Sequence, residues 1–144
     1  MSKKILEIKN LITEFKSDNH SIKAVNDISF SIKEGEIVGI VGESGSGKSV
    51  TSLSAMGLIP NPPGKITQGE ILFETSDGTI VDTTKLDAQD LRKIRGNEIS
   101  MIFQEPMTSL NPVFTCGNQV TEAIILPQKI RKKEAKFKTI ELFN

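Results

Sequence analysis

A glycine-rich stretch in the first half constrains this chain more than any other feature. Residues 36–57 read EIVGIVGESGSGKSVTSLSAMG, an apolar β-branched run, then a loop, then small residues that tolerate a helix. The run is apolar on both faces of an extended chain, which is typical of a strand covered on both sides. These are Ile37, Val38, Ile40 and Val41. The stretch predicts a buried strand, a tight loop and a helix, in that order.

The loop fits the phosphate-binding pattern G-x-x-x-x-G-K-[ST] through Gly42, Gly47, Lys48 and Ser49. Glycine lets the backbone turn tightly and approach an anion, so that N–H groups converge on phosphate oxygens at a helix N-terminus. Lys48 would hold the β- and γ-phosphates, and the Ser49 hydroxyl would bind a Mg²⁺ that bridges them. The predicted nucleotide-contacting residues are Gly42, Glu43, Ser44, Gly45, Ser46, Gly47, Lys48, Ser49 and Val50. The alternative is a chance match in a flexible loop, which the flanking strand and helix patterns disfavour.

Hydrophobic periodicity predicts an α/β fold around this loop. Alternation predicts strands at 5–15 and 24–32 and a hairpin, 69–75 with 79–84, around Ser76-Asp77-Gly78. A second buried-type strand is predicted at 98–106, and helices at 47–58, 85–96, 117–126 and 132–143. Val50, Leu53 and Met56 should form one face of the first helix. Ala135, Thr139, Leu142 and Phe143 should form a packing stripe on the last.

Composition predicts an ordinary soluble domain. The 144 residues are 37% hydrophobic and 25% charged, with a formal net charge of zero that gives no global bias toward nucleic acid or an anionic membrane. The single Cys116 cannot form an internal disulfide, which fits a reducing cytosol. Although basic and acidic residues are equal in number over the whole chain, residues 129–138 form a basic segment with six basic residues and one acidic residue. We interpret that segment as a solvated helix end or a contact for an anionic lipid or partner.

Two longer segments carry a family resemblance. AVNDISFSIKEGEIVGIVGESGSGKSVTSLSAMGLIP (24–60) and MIFQEPMTSLNP (101–112) closely resemble the ATP-binding subunits of ABC transporters, in the oligopeptide, dipeptide and nickel import group. The resemblance covers essentially the whole chain. It implies an α/β, P-loop NTPase-like nucleotide-binding domain: an antiparallel β subdomain and the start of a RecA-like core in 1–105, and the start of a helical subdomain in 106–144.

The same resemblance implies roles and partners. Gln104 would be the Q-loop glutamine, reaching Mg²⁺ or the attacking water, and Phe15 would stack on adenine. Two ATP-binding subunits would sandwich two ATP molecules on the cytoplasmic face of the membrane, peripheral to the permease subunits, with an extracytoplasmic solute-binding protein acting indirectly. The alternatives are that Gln104 simply ends a core strand and that Phe15 packs in the core.

Several family features are not in the sequence. No later apolar strand ends in Asp-Glu, no LSGGQ-type segment is present, and no histidine follows His20. The resemblance therefore implies the first half of a nucleotide-binding domain, apparently truncated, which would not hydrolyse ATP alone. Strand 36–42 would then leave an exposed apolar edge. The alternatives are a non-enzymatic nucleotide-binding module, an unstable remnant and, more distantly, another phosphate-loop kinase. A GTPase is disfavoured because Asn-Lys-x-Asp is lacking.

Overall fold

The first of two compact units, Met1–Ile99, is built on a four-stranded antiparallel sheet; the second is Ser100–Asn144. The computed structural model describes residues 3–17, 20–103 and 109–143. The strands are β1 (Lys4–Ser17), β2 (His20–Lys33), β3 (Gly64–Glu74) and β4 (Ile80–Asp82), in the order β2-β1-β3-β4. The strands predicted at 5–15 and 24–32 and the predicted hairpin are confirmed, and β1, β2 and β3 extend beyond the predicted bounds.

The core of this unit lies between the sheet and helix α1 (Lys48–Ala55). Its buried centre consists of four apolar side chains: Ile8, Leu11, Val25 and Ile71. Val50 and Ala55 of α1 pack against that centre. Because each large aliphatic side chain contributes about 1.5–3 kcal/mol when fully buried, this cluster fixes the helix on the sheet.

Small polar residues occupy much of the buried face of α1. Thr51 and Ser54 are the buried residues within the helix, and the Ser54 hydroxyl lies 2.9 Å from that of Thr13 in β1. Met56 is buried as predicted, whereas Leu53 is only half-buried. The predicted apolar face was therefore incomplete, since two hydroxyl groups that satisfy each other can be buried without leaving an unpaired polar atom.

A coordinated irregularity crosses β1, β2 and β3. Asn10, Asp27 and Gly69 all have positive φ, at 47°, 55° and 98°. The Asn10 side-chain amide donates to the Asp27 carboxylate at 2.9 Å. The register of β1 shifts around Asn10 in its pairing with β2 and also in its pairing with β3. Asn, Asp and Gly are the residues that tolerate this backbone region, so their placement lets three adjacent strands shift register together.

The two predicted buried-type strands do not form in the residues that the structure describes. Residues 36–43 have no strand partner among the described residues, and Ile37 and Val41 are 98% and 95% exposed. The described part of the second, 98–103, has only an isolated bridge between Arg95 and Ile99, and Ile102 is 96% exposed. A strand exists only through hydrogen bonds to a neighbour, and no described residue supplies that neighbour. The expected exposure of the apolar segment is confirmed.

Three further helices agree with prediction within a few residues: α2 (Ala88–Ile94), α3 (Cys116–Gln128) and α4 (Lys132–Leu142). In the second unit, the buried hydroxyls of Thr121 and Thr139 lie 2.9 Å apart and join α3 to α4. Ala135 is fully buried beside them. Leu142 and Phe143 are 70% and 63% exposed, so the predicted packing stripe was right for Ala135 and Thr139 only.

Candidate functional site

Residues 42–49, the phosphate loop, form a closed turn that runs directly into α1. Gly45 and Gly47 have φ of 81° and 87°, and the helix begins at Lys48 with Gly47 as its N-cap. Within the turn, the Ser46 N–H donates to the Glu43 carbonyl at 3.2 Å. The left-handed backbone at both glycines is strained for any residue with a side chain, so the glycine spacing sets the shape of the turn.

Two close approaches explain why the first and last glycines of the pattern must lack a side chain. A Cβ at Gly42 would lie 2.7 Å from the Ser46 hydroxyl across the loop. A Cβ at Gly47 would overlap the backbone carbonyl of Ala24 in β2. By contrast, a Cβ at Gly45 would meet open space. The loop is therefore folded on itself at one end and pressed against the sheet at the other.

Backbone N–H groups at the start of α1 are available to a ligand. Those of Gly45, Gly47, Lys48 and Ser49 form no hydrogen bond to an acceptor in 3–17, 20–103 or 109–143. Glycine at the N-cap provides no side-chain cap for them. Unpaired N–H groups and the positive end of the helix dipole together favour an anion at this position.

Lys48 adds a full positive charge at the same place. Its ammonium donates to the Gly42 carbonyl at 2.7 Å, the Glu43 carbonyl at 2.6 Å and the Ser46 hydroxyl at 3.1 Å. All three acceptors are neutral, and Lys48 forms no ion pair with a carboxylate in the described part of the chain. The Lys48 side chain therefore bridges the loop, and no described carboxylate neutralises its charge. A phosphate would be a stronger, charge-assisted acceptor.

The next residues divide between solvent and core. Ser49 is exposed, so its hydroxyl is free to reach a ligand or metal, whereas Val50 packs against the core and can offer only its backbone. Thr51 is buried and donates through both its backbone and its hydroxyl to the Gly47 carbonyl, at 2.8 and 3.0 Å. Glu43 and Ser44 are exposed at the tip of the loop.

Two anchors that sequence reasoning missed hold α1 in place. One is the Thr13–Ser54 hydroxyl pair beneath the helix. The other is Arg95, which follows α2 and donates to the carbonyls of Met56, at 2.7 Å, and Gly57 at the C-terminal end of α1. A cation at a helix C-terminus is favourable, and it fixes the end opposite the loop. No sequence motif predicts either anchor, because each depends on a contact between residues that are about 40 positions apart in the chain.

An open cavity of about 370 Å³ lies between the loop and β2. Its lining residues are Lys23, Ala24, Val25, Asn26, Ile28, Gly45, Ser46 and Thr51. Phe15 is not among them. Its half-buried ring lies over Gly64 in β3, so close that a Cβ there would meet the ring at 2.8 Å. Phe15 is thus not brought to this cavity, and its adenine-stacking role stays a prediction. Gln104 lies outside the described residues, so its predicted role was not tested.

The described residues offer no preformed metal cage. No group of three or more His, Cys, Asp or Glu in this part of the chain is arranged to hold a metal ion. The Ser49 hydroxyl is a single oxygen donor beside the Lys48 ammonium in sequence. A serine or threonine hydroxyl at this position of a phosphate loop can be one ligand of a Mg²⁺ that takes its other ligands from a carboxylate, phosphates and water.

Comparison with known sequences gives one family. The family described as "ABC transporter" matches residues 25–142. The oligopeptide transport ATP-binding protein AppD of Bacillus subtilis is 51% identical over 138 residues, and OppD of the same organism 46% over 139. The dipeptide transport ATP-binding protein DppD of that organism is 43% identical over 141 residues. These matches cover 96–98% of this chain but only 37–41% of each relative.

Comparison with solved structures gives the same fold. A dimeric, post-hydrolysis structure of the ATP-binding cassette MJ0796, bound to ADP and Pi, superposes with a TM-score of 0.74 at 29% identity. The match covers 94% of this chain and 54% of that one. The predicted fold class, part of an ABC nucleotide-binding cassette, is therefore confirmed.

Proposed function

This chain belongs to the ABC transporter family. We propose that it is the nucleotide-binding part of an ATP-binding subunit that powers the import of peptides or similar small solutes. The relatives with the highest identities quoted above are named as oligopeptide and dipeptide transport ATP-binding proteins. Their names support a peptide substrate for the whole transporter. Dipeptides, longer peptides, nickel and glutathione all remain candidates for the solute.

The observation that carries the proposal is the arrangement of positive groups in the phosphate loop. The N–H groups of Gly45, Gly47, Lys48 and Ser49, unpaired within the described residues, lie beside the ammonium of Lys48 in one short stretch of backbone. In the proposed complex, the N–H groups hold phosphate oxygens and Lys48 exchanges its neutral acceptors for the β- and γ-phosphates. The Val50 N–H would contact the α-phosphate.

Ser49 and Gln104 are the proposed protein ligands of Mg²⁺. When bound, the ion would neutralise charge on the β- and γ-phosphates and so favour phosphoryl transfer. Transfer to water also needs a carboxylate and a group that orients the water. Because the sequence has no Asp-Glu-ended strand after the loop, we propose that this chain alone binds ATP without turning it over.

The proposed partners follow from the family. A second ATP-binding subunit would complete the nucleotide sandwich, and the dimeric state of the cassette MJ0796 supports that arrangement. Permease subunits would receive the conformational signal, and a solute-binding protein would act through them. We propose a peripheral location on the cytoplasmic face of the membrane. Among the described helices, none is long and apolar enough to cross a bilayer.

Thermal unfolding with and without Mg-ATP tests the proposal. ATP should raise the Tm of the 144-residue protein, because a ligand that binds only the folded state stabilises it. Lys48→Ala should abolish the rise, and Lys65→Ala, which removes an exposed lysine of β3, should not. Phosphate release should stay at background in all three proteins. A rate of phosphate release that depends on Lys48 would contradict the claim that the chain alone is inactive. A Tm that does not change with ATP would contradict nucleotide binding.

A further inference from the structure

We propose that the outer face of α4 and the segment leading into it bind the anionic headgroups of a lipid bilayer. The basic face is defined as the side of α4 that carries Lys133, Lys136, Phe137 and Ile140, together with three exposed cations at the N-terminal end of the helix: Lys129, Arg131 and Lys132. The inference rests on the proposed function only in placing the chain beside a membrane. It uses none of the residues of the phosphate loop, so the two proposals fail separately.

The cations of this face are not neutralised from within. Of the six basic residues in 129–138, only Lys138 is near a carboxylate among the described residues, with Glu134 at 3.9 Å. The five basic residues that belong to the basic face are exposed and form no ion pair within 3–17, 20–103 or 109–143. The rest of the chain sums to a formal charge of −5. The positive charge is therefore concentrated in residues 129–136, around the N-terminal end of α4, and is available to an external anion.

The position of these charges opposes the stability of the helix. Arg131 is the N-cap of α4 and makes no side-chain cap hydrogen bond, and Lys132 and Lys133 follow in the first turn. The N-terminal end of a helix is its positive end, where carboxylates rather than ammonium groups are favourable. Glu134, also in the first turn, is favourable there, but the three cations are not, so helix stability does not account for them.

Exposed apolar side chains lie among the cations. Lys133, Lys136, Phe137 and Ile140 fall at i, i+3, i+4 and i+7, which places them on one side of α4. The buried residues Ala135 and Thr139 mark the opposite side, which packs on α3. Phe137 is 68% exposed and Ile140 is 53% exposed.

This combination fits a bilayer surface. Apolar side chains can enter the boundary between headgroups and acyl chains while the lysines extend to phosphate groups. A nucleic acid would use the cations but would leave Phe137 in water. The charges and the apolar side chains together therefore favour lipid.

Sedimentation with lipid vesicles tests the inference on the 144-residue protein. We expect binding to vesicles that contain phosphatidylglycerol, no binding to pure phosphatidylcholine, and weaker binding as salt rises. Neutralising Lys132, Lys133 and Lys136 as glutamine should weaken binding about a hundredfold, from roughly fivefold per charge. The matched control neutralises Lys16, Lys33 and Lys65, exposed lysines of the sheet without described ion pairs, and should change binding by less than about threefold.

Two single variants separate the apolar and electrostatic contributions. Phe137→Ser should weaken vesicle binding by about tenfold, because an exposed ring that enters the bilayer boundary is lost. Glu134→Gln should tighten it about fivefold, since it removes one of the two exposed carboxylates of α4, the other being Glu141. Equal losses in the two triple variants, or no binding to anionic vesicles at low salt, would overturn the proposal. Duplex DNA bound more tightly than vesicles through the same lysines would replace it with a nucleic-acid surface. ATP titration of the same preparations shows whether the phosphate loop fails independently.

Discussion

Replacing Gly47 with alanine separates two demands that the fold makes on this residue. Its φ of 87° is strained for any residue with a Cβ, and the new methyl group would overlap the Ala24 carbonyl of β2. Gly45 shares the first demand but not the second, because its φ is 81° and a Cβ there meets open space. The two alanine variants therefore differ in one contact.

The expected free energies differ accordingly. Left-handed backbone costs an alanine about 1–2 kcal/mol at either position. At Gly47, the loop or β2 must also shift to admit the methyl group, and overpacking of this kind costs typically 1–3 kcal/mol more. We therefore expect Gly45→Ala to lower the free energy of unfolding by about 1–2 kcal/mol and Gly47→Ala by about 2–5 kcal/mol.

Urea denaturation, monitored by circular dichroism, measures the difference directly. A third variant, Gly35→Ala, serves as a control outside the loop, because its φ is 73° and a Cβ there also meets open space. It should match Gly45→Ala in stability and leave ATP affinity unchanged. If Gly45→Ala and Gly47→Ala have equal free energies of unfolding, Gly47 does not lie close to the Ala24 carbonyl of β2, and the explanation is refuted.

Substitutions at the Thr13–Ser54 pair and at Arg95 test the supports of the site, and one at Asp82 tests the acid stability of the sheet. Ser54→Ala should lower the free energy of unfolding by about 1–3 kcal/mol by leaving the buried Thr13 hydroxyl unpaired, whereas adding Thr13→Val should recover most of that loss in a double-mutant cycle measured with urea. Arg95→Leu should lower the free energy of unfolding by about 1–3 kcal/mol and Arg95→Lys by less, because lysine keeps the charge but not both hydrogen bonds; equal losses would contradict this. Burial raises the pKa of Asp82, but the Lys85 ammonium 2.8 Å away and further hydrogen bonds outweigh burial and hold that pKa below its usual value. This stability is therefore present at neutral pH and is lost as the pH falls below about 4, and Asp82→Asn should flatten the acid limb of a plot of stability against pH.

The local features of the site could be predicted from sequence because each follows from a short pattern. The spacing of Gly42, Gly47 and Lys48 predicts the loop, and alternation predicts β1 and β2. The anchors could not be predicted. Arg95 and the Thr13–Ser54 pair act across about 40 residues of chain, and serine or threonine in a short helix is usually interpreted as solvent-facing.

The segments 36–42 and 98–106 illustrate a different limit. Their residue types predict a strand buried on both faces. Such burial requires neighbouring strands and covering helices, which the segment itself does not contain. In the described residues no neighbouring strand is supplied, so Ile37 and Val41 are exposed. The chain spans 40% of AppD and 54% of the MJ0796 cassette. Burial of a strand depends on partners elsewhere in the protein, which a local pattern cannot contain.

A titration of ATP, ADP and AMP against the same protein tests the central claim most directly. If the loop N–H groups and Lys48 hold the β- and γ-phosphates, affinity should fall from ATP to ADP and fall again, by at least tenfold, to AMP, because a charge-assisted hydrogen bond contributes about 1.5–3 kcal/mol. Lys48→Ala should weaken ATP binding most and narrow the differences among the three affinities while leaving the protein folded, because the loop N–H groups remain. AMP bound as tightly as ATP, or a folded Lys48→Ala protein that binds ATP as tightly as the unchanged protein, would contradict the account.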